Sequence, residues 1–134
     1  MLDLDTFALA GHAIFTAHNP ATGTRFTYKV SACDDKPDLY FVAVLTGPNN
    51  EEDYAYLGTI RGTTYAHGRK SRIGADAPSA KAFDWLWRHR DRLPASLDLH
   101  HEGRCGRCGR TLTTPNSCTR GYGEECWEKM HGAA

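Results

Sequence analysis

The sequence predicts an α+β chain: a small antiparallel β-sheet or partly open barrel with one packed helix, followed by a C-terminal module that a metal holds in a treble-clef or ribbon-like arrangement. Three observations predict it. Up to residue 67 the chain runs through short segments rich in β-branched and aromatic residues, separated by turns containing Gly, Pro and Asn, which is the pattern of a meander. One stretch, 78–92, carries apolar residues at helical spacing. Towards the C-terminus Cys105, Cys108, Cys118 and Cys126 follow the pattern Cys-x2-Cys-x9-Cys-x7-Cys, a spacing of metal ligands. The expected division is a β-rich domain over 1–99, including helix 78–92, and a zinc-binding module over 100–134. A tail of about 35 residues buries too little surface to fold unaided, so metal binding would supply its folding energy.

AIFTAH (13–18) and TRFTYKV (24–30) flank the turn NPATG, as a hairpin requires. In the second of these, Phe26, Tyr28 and Val30 share one face and Arg25, Thr27 and Lys29 the other, so one face is core and the other wet. LYFVAVLT (39–46) is almost continuously apolar, which predicts a central strand covered on both faces. YAYLGTI (54–60) and TTYAH (63–67), joined through Arg61 and Gly62, read as a second hairpin. Its tyrosines 54, 56 and 65 suit cross-strand packing better than an exposed surface for stacking bases. After the basic link GRKSRIGAD, Pro78 opens the helix and Ala80, Phe83, Leu86, Trp87 and Arg90 form its inner stripe. Leu93-Pro94 closes it. Trp85 falls off that stripe and is expected to pack at the rim of the sheet. SLDL (96–99) reads as a short strand leading into the metal module.

Composition narrows the function classes. The 134 residues hold 16 Lys/Arg and 16 Asp/Glu, so net charge argues for no particular partner. The distribution is less even: residues 69–110 hold ten Lys/Arg against five Asp/Glu, and phosphate contacts should be sought there. No apolar run of about 18 residues occurs, and the acidic start MLDLDTFALAGHAIF lacks the basic region of a secretion signal. A soluble protein without a membrane partner is expected. Four of the five cysteines fall into metal spacing, which points to a reducing cytosol rather than a disulfide framework. Cys33, in SACDD, is the outlier and reads as a half-buried free thiol.

The run CGRCGR, from Cys105 to Arg110, places a glycine after each of two thiols. That is the geometry of a zinc knuckle, in which both sulfurs approach one metal and backbone N–H groups turn towards the thiolates. Structural Zn2+ is the expected cofactor. A catalytic zinc leaves one position open beside a general base. Glu102, Glu124 and Glu125 lie nearby, but no HExxH or HxE…PCxxC pattern accompanies them. The seven histidines have no recognisable catalytic partners, so a non-catalytic protein is expected.

The stretch HEGRCGRCGRTLTTPNSCTRGYGEEC (101–126) resembles a zinc-finger-like domain of unknown function widespread in phage and prophage proteins. Its pattern is similar to H-x-G-x-C-G-R-C-G-R-x-L-T-x-P-x-S-I-x-x-G-x-G-P-x-C. The upstream segments TGTRFTYKV, VLTGPNNEEDYAYLGTI and SRIGADAPSAKAFDWLWRH also resemble the region before that motif in small phage proteins. The resemblance implies a phage or prophage origin, hence the host-cell cytosol, and a bound metal, but no established activity. Two positions depart from it: Cys118 stands in place of isoleucine and Glu124 in place of proline. Cysteine spacing alone selects Cys118 as the fourth ligand beside Cys105, Cys108 and Cys126. The family pattern implies His101 instead, with Cys118 as a small buried hydrophobe; His131 is a further option.

Two functions compete. Arg104, Arg107 and Arg110 recur every third residue around the knuckle and Arg120 follows, and guanidinium forks suit phosphate oxygens. With Arg88 and Lys81 from the helix, Arg107, Arg110 and Arg120 are expected to form one nucleic-acid-binding face. The alternative is a protein-interaction module, such as a phage inhibitor of a host enzyme or defence system of the anti-CRISPR kind, docking through aromatic side chains. The sequence names neither the partner nor the oligomeric state.

Overall fold

In the computed structural model, which describes residues 4–48, 52–102, 104–109, 112 and 121–131, five strands follow one another as a meander and a sixth returns to its starting edge. The strands are β1 (His12–Asn19), β2 (Thr24–Ala32), β3 (Leu39–Leu45), β4 (Tyr54–Arg61), β5 (Thr64–His67) and β6 (Asp98–His101). They form one open sheet in the order β5-β4-β3-β2-β1-β6, every pairing antiparallel. The turn chemistry read from the sequence places the hairpins. Asn19 accepts from the backbone of Thr22 and Gly23, and Gly23, at φ 73°, supplies the left-handed residue the β1–β2 turn needs.

Register divides the side chains between two faces. Phe15 stands opposite Tyr28, and Tyr28 opposite Val44; Ala13, Val30 and Val42 form the neighbouring row. All six are buried. Between Val42 and Ala43 the β3–β4 register shifts, leaving Leu57 as an extra residue of β4 that is also buried. Helix α2 (Pro78–Arg88) covers this face with Ala80, Phe83, Leu86 and Trp87; it stops short of the expected residue 92 and of Leu93-Pro94, because His89 leaves helical geometry and caps it. Phe83 packs edge-on against Tyr28 and Tyr65, at 5.0 and 4.8 Å between ring centroids, and lies parallel to Trp87. Arg90 completes the stripe as its spacing suggests: its guanidinium lies 4.2 Å over Trp87 and pairs with Asp5 at 2.7 Å.

Several expectations are revised. β3 is covered on one face only, and Phe41 on the other is 43% exposed, because α2 lies on the Phe15/Tyr28 side. Trp85 is 44% exposed and stacks on His89 instead of lying closed against the rim. A short helix, α1 (Leu4–Ala8), precedes β1. Five residues are too few to show helical periodicity; α1 is held by burial of Leu4, Phe7 and Ala8. β6 runs from Asp98 to His101, later than SLDL, and pairs with β1 from Phe15 to His18. It therefore straddles the division expected at residue 99. No helix among the described residues is long and apolar enough to cross a membrane.

The packed face also carries a pH signature. The Tyr28 hydroxyl donates to the Ser79 carbonyl at 2.8 Å, and burial raises its pKa far above the ordinary tyrosine value. Burial, with Asp84 and Tyr56 nearby, pushes Tyr65 up to about 12. A folded-state pKa above the unfolded value means that the stabilisation is complete below pH about 10 and is lost as pH rises through 12. Tyrosinate absorbance is therefore expected to appear in two stages, with Tyr28 and Tyr65 ionising only as the fold is lost. A single smooth titration of all tyrosines with circular dichroism unchanged would contradict this packing.

Candidate metal centre

The knuckle sits against the N-terminal edge of the sheet. The Cys105 carbonyl accepts from the Gly109 backbone at 2.9 Å, closing the turn, and Gly109 adopts φ 79°, where a side chain would be strained. Gly106 is required for a different reason: a Cβ there would stand 2.4 Å from the Phe7 ring. The turn is tied to β1 by His12, whose backbone N–H donates to the Gly106 carbonyl and whose Nδ1 donates to the Arg107 carbonyl, both at 2.8 Å. The Gly106 N–H in turn donates to the Gly121 carbonyl at 2.8 Å. From there Tyr122 reaches Phe7 at 5.5 Å between centroids, and helix α3 (Glu124–His131) begins.

These elements bring three thiols together. The sulfurs of Cys105, Cys108 and Cys126 all lie within 4.8 Å of one another. Sulfurs held about 2.3 Å from a tetrahedral zinc stand about 3.8 Å apart, so the spacing fits one ion. Cys105 is completely buried and Cys126 nearly so, while Cys108 faces solvent. Burial alone would raise the Cys105 pKa, but the backbone N–H groups of Gly123, Cys108 and Arg107 and the Cys108 thiol outweigh it, and the thiol is more acidic than usual. Cys126 moves the other way: burial raises it, Cys108 and Cys105 add to the rise, and the Arg107 guanidinium opposes them. Converging N–H groups beside crowded thiols suit a dication, which would let all three ionise. The three cysteines could hold a metal ion.

The other sequence-selected residues are placed less centrally. His101 lies beside the knuckle, with its ring 6.2 Å from Phe7 and its Cδ2 facing Gly121, but it does not join the three-thiol cluster. Cys118, Arg110 and Arg120 lie outside the described residues. Arg107 is turned inward, its Nη1 3.6 Å from the Cys126 sulfur. Arg88 pairs with Asp84 at 3.3 Å, whereas Lys81 is exposed on α2 and shares a hollow with Tyr65, His67 and Ala75. Cys33 is a half-buried free thiol.

Sequence reasoning missed the contribution of Phe7, which no metal-ligand pattern marks. Its one sign in the sequence is its place in an apolar run, FALA, just before β1. Cys105, Leu112, Tyr122 and Cys126 belong to the same buried cluster as Leu4, Phe7 and Phe15, so the knuckle and the sheet share one core.

No curated protein and no solved structure matches this chain. Residues 98–131, from the first residue of β6 to the last of α3, are similar to a family of unknown function (DUF6011).

Proposed function

We propose that this is a non-catalytic nucleic-acid-binding accessory protein of phage type, acting in the host cytosol, whose C-terminal part is stapled by a structural Zn2+ on Cys105, Cys108, Cys126 and a fourth ligand, His101 or Cys118. The zinc supplies folding energy rather than chemistry. The observation that carries the binding reading is the state of the cations in the link between β5 and α2. Arg69, Lys70 and Arg72 are exposed and make no ion pair with a described carboxylate, while Arg88 and Arg90 are taken up by Asp84 and Asp5. Lys81, exposed on α2, lines a hollow with Tyr65, His67, Ala75 and Asp84. Arg107 faces a thiol, and its role is to balance charge at the metal as much as to reach phosphate.

Fluorescence anisotropy with labelled DNA and RNA tests this. Binding by the zinc-loaded protein is expected to weaken steeply between low and physiological salt. Arg69→Gln/Lys70→Gln/Arg72→Gln should flatten that dependence by about one unit of log–log slope for each phosphate that the variant no longer neutralises. Absence of binding to every probe at low salt would overturn the reading.

A second reading has its own observation. Trp85 is 44% exposed and borders a hollow of about 230 Å3 lined by Ala17, Phe26, Ala82, Leu86 and Leu97. A protein partner seated there, such as a host enzyme or defence component, would use the indole as an anchor and tolerate salt. A stoichiometric protein that co-purifies and survives nuclease treatment favours this reading.

A further inference from the structure

The uncovered face of the sheet carries chemistry that neither the metal centre nor the basic link accounts for. Across β2, β3 and β4, Lys29 stands opposite Ala43 and Ala43 opposite Tyr56; in the next row Ser31 stands opposite Phe41 and Phe41 opposite Thr59. Opposed residues share a face, so Phe41 and Tyr56 are diagonal neighbours on the side away from α2. They are 43% and 37% exposed, which is unusual for two large rings side by side in the middle of a sheet. The small Ala43 between them leaves the rings open from above.

The flanks are cationic. The Lys29 ammonium is held 5.4 Å over the Tyr54 ring, beside the pair. On the other flank, the segment after β5 runs alongside the first half of β4. The Gly68 N–H donates to the Leu57 carbonyl, and the Ser71 hydroxyl donates to the Tyr56 carbonyl at 2.6 Å. This anchors Arg69, Lys70 and Arg72 next to Tyr56. Gly68 also shapes the ring's position: a Cβ there would stand 2.5 to 2.7 Å from Tyr56 ring atoms and its hydroxyl oxygen, so the absence of a side chain lets the tyrosine lie over the strand edge towards the basic segment. Asp34, Asp35 and Asp38 before β3 and Glu52 and Asp53 before β4 lie at the ends of the strands, whereas Glu102, bonded to Thr16, brings one carboxylate, with Arg104, to the Tyr54 flank.

We propose that this face is a binding platform for single-stranded nucleic acid, with Phe41 and Tyr56 each stacking a base and Lys29, Arg69, Lys70 and Arg72 holding the phosphates on either side. The inference rests on the nucleic-acid reading above and adds to it the strandedness of the ligand and the residues that receive the bases. Single strands fit because every unpaired base offers a π-face to an exposed ring, while a backbone crossing the strands from Lys29 to the Gly68–Arg72 segment meets cations at both ends. A duplex does not fit, since its bases are stacked inside and cannot reach two rings lying nearly flush with a sheet.

The test uses the zinc-loaded full chain and end-labelled homopolymeric dT and rU oligonucleotides, with a duplex of equal length. Single strands are expected to bind at least about tenfold more tightly than the duplex. Phe41→Ala and Tyr56→Ala should each weaken single-strand binding about 5- to 100-fold without changing the melting temperature or zinc content, and Tyr56→Phe should retain most of the affinity. Gly68→Val, which displaces the Tyr56 ring, should behave like Tyr56→Ala. If nucleic acid binds but the duplex is preferred, or the alanine variants bind as wild type does, the platform is wrong and the basic-link reading stands. If wild type binds no probe at low salt, both fall together.

Discussion

Cys105→Ser is expected to abolish metal binding and to cost the protein more than about 4 kcal/mol of stability, beyond the range of ordinary substitutions. The serine hydroxyl is a poor zinc ligand, and it would sit at a fully buried position among N–H groups arranged for a thiolate. The larger part of the loss is the metal itself, because structural zinc in small domains contributes apparent binding free energies of about 10–16 kcal/mol that appear as folding energy. Elemental analysis should find one zinc per chain in wild type and almost none in the variant. A chelator should lower the wild-type melting temperature, and added zinc should restore it. Melting that is indifferent to chelator, with a variant as stable as wild type, would remove the metal from the account. The fourth ligand is separated in the same assay. If it is His101, then His101→Ala lowers zinc affinity by orders of magnitude and Cys118→Ile is tolerated; the reverse pattern makes the site four cysteines.

Much of the sheet was legible because its signals are local. The turn NPATG, the alternation of Phe26, Tyr28 and Val30, and the stripe Ala80, Phe83, Leu86, Trp87 each specify an element within a few residues, and strands β1, β2, β4 and α2 begin within one residue of where those patterns place them. Part of the thiol cluster was legible for the same reason, since Cys-x2-Cys fixes two thiols in one turn. What was missed depends on partners distant in sequence. The run Leu39–Leu45 looks doubly covered, yet whether a helix lies over its second face is decided by elements elsewhere in the chain; Phe41 reads as core and is exposed. Residues 4–8 carry no periodic signal and become helical by packing. The approach of Phe7 to Gly106 joins residues far apart in the chain. No spacing rule connects an apolar N-terminal side chain with a knuckle glycine.

That approach carries the second large effect. Phe7→Ala is expected to cost about 3–5 kcal/mol, the usual range for removing a buried aromatic side chain that leaves a cavity. Phe7 is 1% exposed; it packs against Tyr122 at 5.5 Å and His101 at 6.2 Å, and closely enough against Gly106 and Gly121 that neither could carry a side chain without displacing it. The cavity would open between α1 and the knuckle, so the loss should reach the metal. Because metal binding and folding of the module are linked, zinc affinity measured by chelator competition should fall in the variant although no ligand has been altered. Phe83→Ala supplies the comparison. It removes a ring of the same size from beneath α2, among Tyr28, Tyr65 and Trp87, and should destabilise the sheet comparably while changing zinc affinity less under conditions where both variants remain folded. Equal zinc affinity in Phe7→Ala and wild type, despite a lowered melting temperature, would mean that the knuckle closes on its metal independently of the sheet it rests on.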